Sequence, residues 1–114
     1  MKIAIYQADA AARTPTQRLS DLEHQLASYG QALPDLLLCP ELYLSGYGSA
    51  TDIRDYAVTT TSELFQQLGS IARQYGVNLA LGFPERGEQG LYNSVCVISR
   101  SGEVKLTIVR VFFQ

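Results

Sequence analysis

The chain has 114 residues, of which 46% are hydrophobic and 18% charged, and its formal net charge at pH 7 is −2. This length and composition are typical of one soluble globular domain spanning residues 1–114. The nine basic residues are scattered, which disfavours nucleic acid and anionic membranes as partners, and no apolar run reaches the roughly 18 residues of a membrane span.

The first third of the chain predicts a strand, an amphipathic helix and a second strand. Residues 2–8 and 35–39 are short apolar runs typical of buried strands. Thr14 can cap the helix, Pro15 suits its first turn and Gly30 suits the position after its end. The apolar helical face comprises Leu19, Leu22, Leu26 and Tyr29. The opposite face, expected to meet solvent, comprises Arg18, Asp21, His24 and Gln25.

The remainder predicts one more helix and three strands. Residues 44–58 are irregular, and residues 61–75 form a helix with capping-box spacing between Thr60 and Glu63 and a stop at Gly76. Residues 77–83, 91–99 and 102–113 are strands, and the intervening PERGEQG is a polar turn. The order β-α-β-loop-α-β-β-β indicates an α/β fold with a sheet of mixed direction.

The N-terminus and the cysteines favour a cytoplasmic protein. The first residues lead directly into a strand and lack a signal-peptide cleavage site. Cys39 and Cys96 lie inside apolar runs without metal-ligand spacing, which indicates free core thiols in a reducing compartment. His24, the sole histidine, falls on a polar helix face, so we expect neither a metal site nor a cofactor.

Glu41 is the candidate functional residue of the segment PDLLLCPELYLSGYG, residues 34–48. A charge directly after an apolar strand is costly to desolvate unless a neighbour uses it. Glu41 is therefore either a strand-end carboxylate that accepts hydrogen bonds from loop amides or a catalytic base. Cys39 continues a leucine run and is interpreted as a core residue. The triplet Tyr92-Asn93-Ser94 is interpreted as strand and turn hydrogen bonding without a chemical role.

Three segments together resemble the N-terminal part of the carbon–nitrogen hydrolase (nitrilase) superfamily. They are KIAIYQAD at the start, PDLLLCPELYLSGY in the middle, and GVNLALGFPERGEQGLYNSVCVISRSGEV near the end. The resemblance implies an incomplete four-layer α-β-β-α sandwich, since members of that family are more than twice as long. Their reaction, hydrolysis of a small amide, nitrile or carbamoyl C–N bond, uses a glutamate, a lysine and a cysteine.

Carried over to this sequence, the resemblance assigns the general base to Glu41 and the lysine position to Arg110. The nucleophilic cysteine falls beyond residue 114, so no residue matches it; Lys105 lies five residues before the lysine position and is read as a solvated strand residue. We therefore expect this chain alone to be inactive, as a truncation, a frame disruption or a fragment. The alternative is a non-catalytic homologue that acts as an interaction module or is a pseudogene product.

The chain ends on an apolar strand, VFFQ, without a polar cap. In the family that the sequence resembles, these strands pack against strands from the remaining part of the domain. We therefore expect one sheet surface to be bare and to drive self-association into an oligomer.

Overall fold

A mixed sheet of five strands organises the part of the chain that the computed structural model describes. The description covers the backbone of residues 1–9, 11, 13–46 and 50–113, and the side chains of these residues except 50, 52, 106 and 109–113. The elements are β1 (Ile3–Ile5), α1 (Pro15–Ser28), β2 (Leu36–Leu38), α2 (Ala50–Asp55), α3 (Glu63–Tyr75), β3 (Asn78–Gly87), β4 (Gly90–Ile98) and β5 (Val104–Phe113).

The strands lie in the sheet in chain order. The pairs β1–β2 and β2–β3 are parallel, and β3–β4 and β4–β5 are antiparallel. Parallel neighbours need a crossover, supplied here by helices, whereas antiparallel neighbours need only a tight turn. The predicted α/β class and mixed sheet are confirmed, although β1 is shorter than the predicted strand over residues 2–8.

The cap prediction is confirmed for α1 and wrong for α3. Thr14 Oγ1 accepts a hydrogen bond from the Gln17 backbone N–H at 3.1 Å, and Gln17 Oε1 accepts one from the Thr14 N–H at 2.9 Å. In contrast, α3 is preceded by Ser62, which makes no side-chain capping bond. Thr60 lies inside a turn closed by Ser62 N–H donating to Thr59 O, so it is too early to cap the helix.

Two segments predicted to lie outside helices and strands contain regular structure. Residues 44–58 contain the short helix α2, and the PERG part of the predicted turn continues β3 as far as Gly87. Val58 forms an isolated parallel bridge beside Glu85. Its N–H donates to Pro84 O at 3.0 Å and its carbonyl accepts from Arg86 N–H at 2.9 Å. This edge partner lets the strand continue past the proline.

The sheet has one covered and one uncovered side. On the helix face, side chains from β3 and β4 join α1 and α3 in one core that includes Leu22, Leu68, Leu81, Phe83 and Cys96. The other side, called the open face, is defined by Ile3, Ile5, Val95, Val97 and Ile108. Exposed fractions of 54%, 69% and 50% for Ile3, Ile5 and Ile108 show that no described element covers this apolar surface.

Arg18 is buried, which contradicts the prediction that it faces solvent. Only 2% of it is exposed. Its Nη2 donates to Ala11 O at 2.6 Å and to Asp9 O at 3.1 Å, and its guanidinium lies 5.2 Å from the centre of the Tyr43 ring. The Tyr43 hydroxyl donates in return to Arg18 O at 2.8 Å. The segment after β1 thus folds over the start of α1, and its carbonyls make burial of this cation possible.

Candidate active site

The segment that carries Glu41 lies directly against β3. Gly82 N–H donates to Pro40 O, and Leu44 N–H donates to Gly82 O, each at 3.2 Å. A Cβ atom at position 82 would lie 2.5 Å from the Leu42 nitrogen and 2.8 Å from the Glu41 Cα. Because both are backbone atoms, only glycine allows this close approach. Gly82 therefore determines how closely the backbone of Glu41 approaches β3.

Leu42, the residue after Glu41, has a positive φ of +50°. Among the described residues it is the only one with a positive φ that is not a glycine. Such backbone is unfavourable for a residue with a branched side chain. The carbonyl of Leu42 accepts hydrogen bonds from Ser45 N–H at 3.1 Å and Gly46 N–H at 2.7 Å, which close a tight turn. Leu42 and Leu44 are 3% and 0% exposed. Their burial holds the strained turn in place, immediately beside the candidate base.

The carboxylate of Glu41 is held by a residue of β4. Asn93 Nδ2 donates a hydrogen bond to Glu41 Oε1 at 2.5 Å. Asn93 lies opposite Pro84 in the β3–β4 ladder and is 4% exposed. Since side chains alternate along a strand, Asn93 is on the same side as Val95, the open face. The Glu41 carboxylate is thereby held at the edge of that face and is only partly buried.

The next residue of β4 makes the corresponding bond on the helix face. Ser94 is fully buried, and its hydroxyl donates to Glu85 Oε1 at 2.8 Å. Two consecutive side chains thus bind two different carboxylates on opposite sides of the sheet. The sequence interpretation gave both residues a hydrogen-bonding role only and did not connect Asn93 with Glu41. The available signal was two adjacent polar residues inside the apolar strand LYNSVCVI.

The backbone of residue 110 passes beside the same two residues. In the β4–β5 ladder Ser94 pairs with Val109 and Asn93 pairs with Val111, so residue 110 is the extra residue of a bulge. The strand register therefore brings the position that the sequence matched to the family lysine alongside the residue that binds Glu41. The side chain of Arg110 lies outside the described residues, and its role stays a prediction.

Cys96 is a core thiol, as predicted, whereas Cys39 is half-buried and packs against the core, and neither is suited to be a nucleophile. Both are free, and burial raises the pKa of each to about 12. Cys39 follows β2 and Cys96 pairs with Leu81 of β3, so one strand separates them. Two strand spacings amount to about 9.6 Å, beyond the roughly 7 Å limit between the Cα atoms of a disulfide. Such thiols stay protonated at neutral pH.

The other singled-out residues lie on the surface. Lys105 is exposed, with its ammonium 2.6 Å from a carboxylate oxygen of Glu103, and His24 is exposed on α1. Among residues 1–9, 11, 13–46 and 50–113, no three His, Cys, Asp or Glu side chains are grouped so as to hold a metal ion. Within the same described ranges, none of the helices combines the length and apolar character needed to cross a membrane.

Comparison with known proteins identifies relatives over almost the whole chain. The family model for carbon–nitrogen hydrolases matches residues 2–110. A "Hydrolase in pqqF 5'region" from Pseudomonas protegens is 31% identical over 105 residues, covering 90% of this chain and 36% of that protein. "Protein N-terminal amidase" from Saccharomyces cerevisiae is 39% identical over 75 residues, or 61% of this chain and 16% of that protein.

Solved structures share the fold. A crystal structure of an N-terminal amidase with a Gln-Gly peptide superposes with a TM-score of 0.82 at 23% identity, covering all of this chain and 28% of that one. An amidase from Nesterenkonia sp. superposes with a TM-score of 0.74 at 24% identity, again over the whole chain and 44% of the amidase. The chain thus spans less than half the length of each protein named here, and it shares their fold over its whole length.

Proposed function

Because the chain belongs to the carbon–nitrogen hydrolase family, we propose that it supplies the general base of a site that hydrolyses a small amide, nitrile or carbamoyl C–N bond. Glu41 is that base in the proposal. The observation that carries it is the Glu41 carboxylate, anchored by Asn93 at the edge of the open face on a segment that Gly82 admits against the sheet. A carboxylate that is held by a hydrogen bond and is only partly buried can exchange protons with a bound substrate.

The chemistry needs a thiol and a cation in addition to the carboxylate. The thiol gives its proton to the carboxylate, and its sulfur bonds to the substrate carbon. For an amide, ammonia leaves with the transferred proton, and water that the same carboxylate deprotonates then hydrolyses the thioester. A cation stabilises the negative charge that develops on the substrate heteroatom. Glu41 would act twice, once toward the thiol and once toward water.

The 114 residues by themselves are proposed to be inactive. Burial raises the pKa of both cysteine thiols to about 12, so neither provides a thiolate at neutral pH. The position matched to the family lysine holds Arg110, a wide planar cation in place of a compact ammonium. Purified chain should release no ammonia from amides or nitriles, and thiol-dependent release would contradict this.

The role of Glu41 can be tested in a chimera. The 114 residues would replace the matching segment of the Pseudomonas protegens relative, whose remaining sequence completes the domain. Ammonia release from a panel of small amides and nitriles would be measured for the chimera, for Arg110→Lys and for Glu41→Gln. We expect activity in the Arg110→Lys chimera and its loss by at least a thousandfold when Glu41→Gln is added, because general base and nucleophile activation act as a unit.

A matched control separates a chemical role from a structural one. Glu85 is a second carboxylate bound by a β4 side chain, but on the helix face. Glu85→Gln in the active chimera should reduce ammonia release by much less than Glu41→Gln does. Activity that survives Glu41→Gln, or that falls equally in both variants, would contradict the assignment of Glu41 as the base.

The open face favours a second candidate function, an interaction module that self-associates. Ile3, Ile5 and Ile108 expose at least half of their surface on one side of the sheet, a pattern typical of protein contact surfaces. Sedimentation velocity over a concentration series should show association that Ile5→Lys weakens. Gln67→Lys, which adds the same charge at an exposed position of α3, should leave association unchanged. A concentration-independent monomer would contradict this candidate.

A further inference from the structure

The burial of Asn93 leaves one end of its side-chain amide without a hydrogen bond among the described residues. It is 4% exposed, and its amide makes one side-chain hydrogen bond, from Nδ2 to Glu41 Oε1. Its Oδ1 is buried and has no hydrogen-bond partner in the described structure. A buried acceptor without a donor costs free energy that an apolar side chain of similar shape would avoid. The strand therefore accepts a half-satisfied amide at a position that binds Glu41.

The neighbouring residue shows the contrast. Ser94 is also buried, yet its single hydroxyl is satisfied by the bond to Glu85 at 2.8 Å. Val95, the next residue on the same face as Asn93, is apolar, as is most of that face. A leucine at position 93 would match these surroundings and would remove the unpaired amide oxygen, but it would also remove the donor to Glu41 Oε1. The hydrogen bond to Glu41 therefore accounts for an asparagine at position 93, whereas burial of the side chain does not.

The bond constrains Glu41 in two ways. An N–H donor on Oε1 restricts the rotation of the carboxylate and disfavours a proton on that oxygen. The donor is also neutral. A cation in the same place would stabilise the carboxylate far more strongly and lower its basicity. A neutral amide orients the base while leaving it able to take a proton.

We propose that Asn93 is a positioning residue that orients the Glu41 carboxylate for proton transfer. The proposal rests on the proposed function of Glu41 as the base. It predicts that the Asn93 side-chain N–H protons report the protonation state of Glu41 and that the Ser94 hydroxyl does not. It also predicts that removing the amide changes the titration of Glu41 more than it changes the stability of the fold.

The first test needs no substitution. In the 114-residue protein labelled with ¹³C and ¹⁵N, the Glu41 carboxyl carbon and the Asn93 side-chain N–H protons are followed by NMR as the pH is lowered. We expect the Asn93 protons to shift with the same midpoint as the Glu41 carboxyl, because the bond weakens when the acceptor is protonated. In Glu41→Gln that shift should vanish. An Asn93 side chain that does not respond to Glu41 would overturn the proposal.

Variants supply the second test, with Ser94→Ala as the matched control on the opposite face. Asn93→Leu should move the Glu41 midpoint to higher pH, with proton binding about tenfold tighter, and should leave the urea midpoint equal to or above that of Ser94→Ala. Ser94→Ala should leave the Glu41 titration unchanged. If Asn93→Leu does not fold, Asn93→Ser removes the same donor with less volume. An unchanged Glu41 titration in the folded variant would overturn the proposal.

These measurements fail independently of the hydrolysis assay. A coupled titration together with an inactive Arg110→Lys chimera would count against the proposed function and leave the orientation of Glu41 by Asn93 standing. An active chimera in which Asn93→Leu preserves both turnover and its pH profile would overturn the positioning role and leave Glu41 as the base.

Discussion

Replacing Gly82 with alanine is expected to displace the segment that carries Glu41. The added Cβ would lie 2.5 Å from the Leu42 nitrogen and 2.8 Å from the Glu41 Cα. Both atoms belong to the backbone, so no side-chain rotation can relieve the overlap. Either β3 or the segment from Pro40 to Leu42 must move, and the segment is the less extensively paired of the two.

The loss of stability can be estimated from the contacts at stake. Forcing one extra carbon into a packed region costs about 1–3 kcal/mol. The displacement also weakens the bonds from Gly82 N–H to Pro40 O and from Leu44 N–H to Gly82 O, worth about 1 kcal/mol each. A total of about 3 kcal/mol, with an m-value of about 1.5 kcal/mol per molar urea, lowers the urea midpoint by about 2 M.

Urea unfolding followed by far-UV circular dichroism provides the assay, since the chain has no tryptophan. Gly76→Ala is the matched control, because a Cβ there meets nothing within 4 Å and the change is penalised only by φ +66°. That penalty is about 1–2 kcal/mol. In amide NMR spectra, Gly82→Ala should shift the resonances of residues 41–46. A stability loss no greater than in the control, with those resonances unmoved, would refute the reasoning.

Three further predictions concern the rest of the described structure. Arg18→Met should lower the free energy of unfolding by about 2–3 kcal/mol, because it removes the two hydrogen bonds that the buried guanidinium donates to the Asp9 and Ala11 carbonyls. Arg13→Met, which removes a partly exposed ion pair, should lower it by less than about 1 kcal/mol when both variants are compared in thermal melts. Thr14→Ala should cost about 1 kcal/mol in urea unfolding because it removes a capping bond, while Ser62→Ala, which removes a buried hydroxyl without a partner in the described structure, should not destabilise. Burial raises the pKa of both thiols from 9.0 to about 12, so the unfolded chain binds fewer protons than the folded chain above pH 9. The urea midpoint should therefore fall as the pH is raised from about 8 to about 10. If the midpoint of a variant with both cysteines changed to alanine falls equally, the thiols are not the cause.

Local signals predicted the elements well where neighbouring residues decide the structure. Thr14 and Gln17 form their capping box within one turn of chain, and Gly76 ends α3 with a left-handed backbone. Both depend on contacts within a few residues, so they are visible in sequence. The mixture of parallel and antiparallel strand pairs was also predictable, because helices connect the parallel strands and tight turns connect the antiparallel ones.

The errors occurred where distant segments supply the partner. The helical periodicity places Arg18 on the solvent side of α1, because periodicity considers only residues of the helix itself. The carbonyls of Asp9 and Ala11, which bind the Arg18 guanidinium, come from the chain after β1. Pro84 suggested a turn, yet it lies in β3 because the carbonyl of Pro84 bonds outward to Val58. The N–H and C=O of a strand residue point to the same side, so the N–H that Pro84 lacks would point toward Val58 and not toward β4. The β3–β4 ladder therefore loses no hydrogen bond to the proline.

The candidate site was predicted only in part for the same reason. The resemblance selected Glu41, but its contact with Asn93 spans 52 positions in sequence and depends on the register of β3 against β4. No local pattern reports that register. The sequence predicts strand and turn hydrogen bonding for Asn93 and Ser94, and it does not identify the two carboxylates that they bind.

The adjacency of Asn93 and Ser94 makes β4 intolerant of any change in length by one residue. With the turn kept at Glu88 and Gln89, deleting a residue between Gly90 and Asn93 would bring Ser94 to the Glu41 side and Val95 to the Glu85 side. A serine hydroxyl is too short to replace an asparagine amide, and valine donates nothing. Both carboxylates would lose their β4 donors in one event, so single-residue insertions and deletions in this strand should be far more damaging than substitutions at either position.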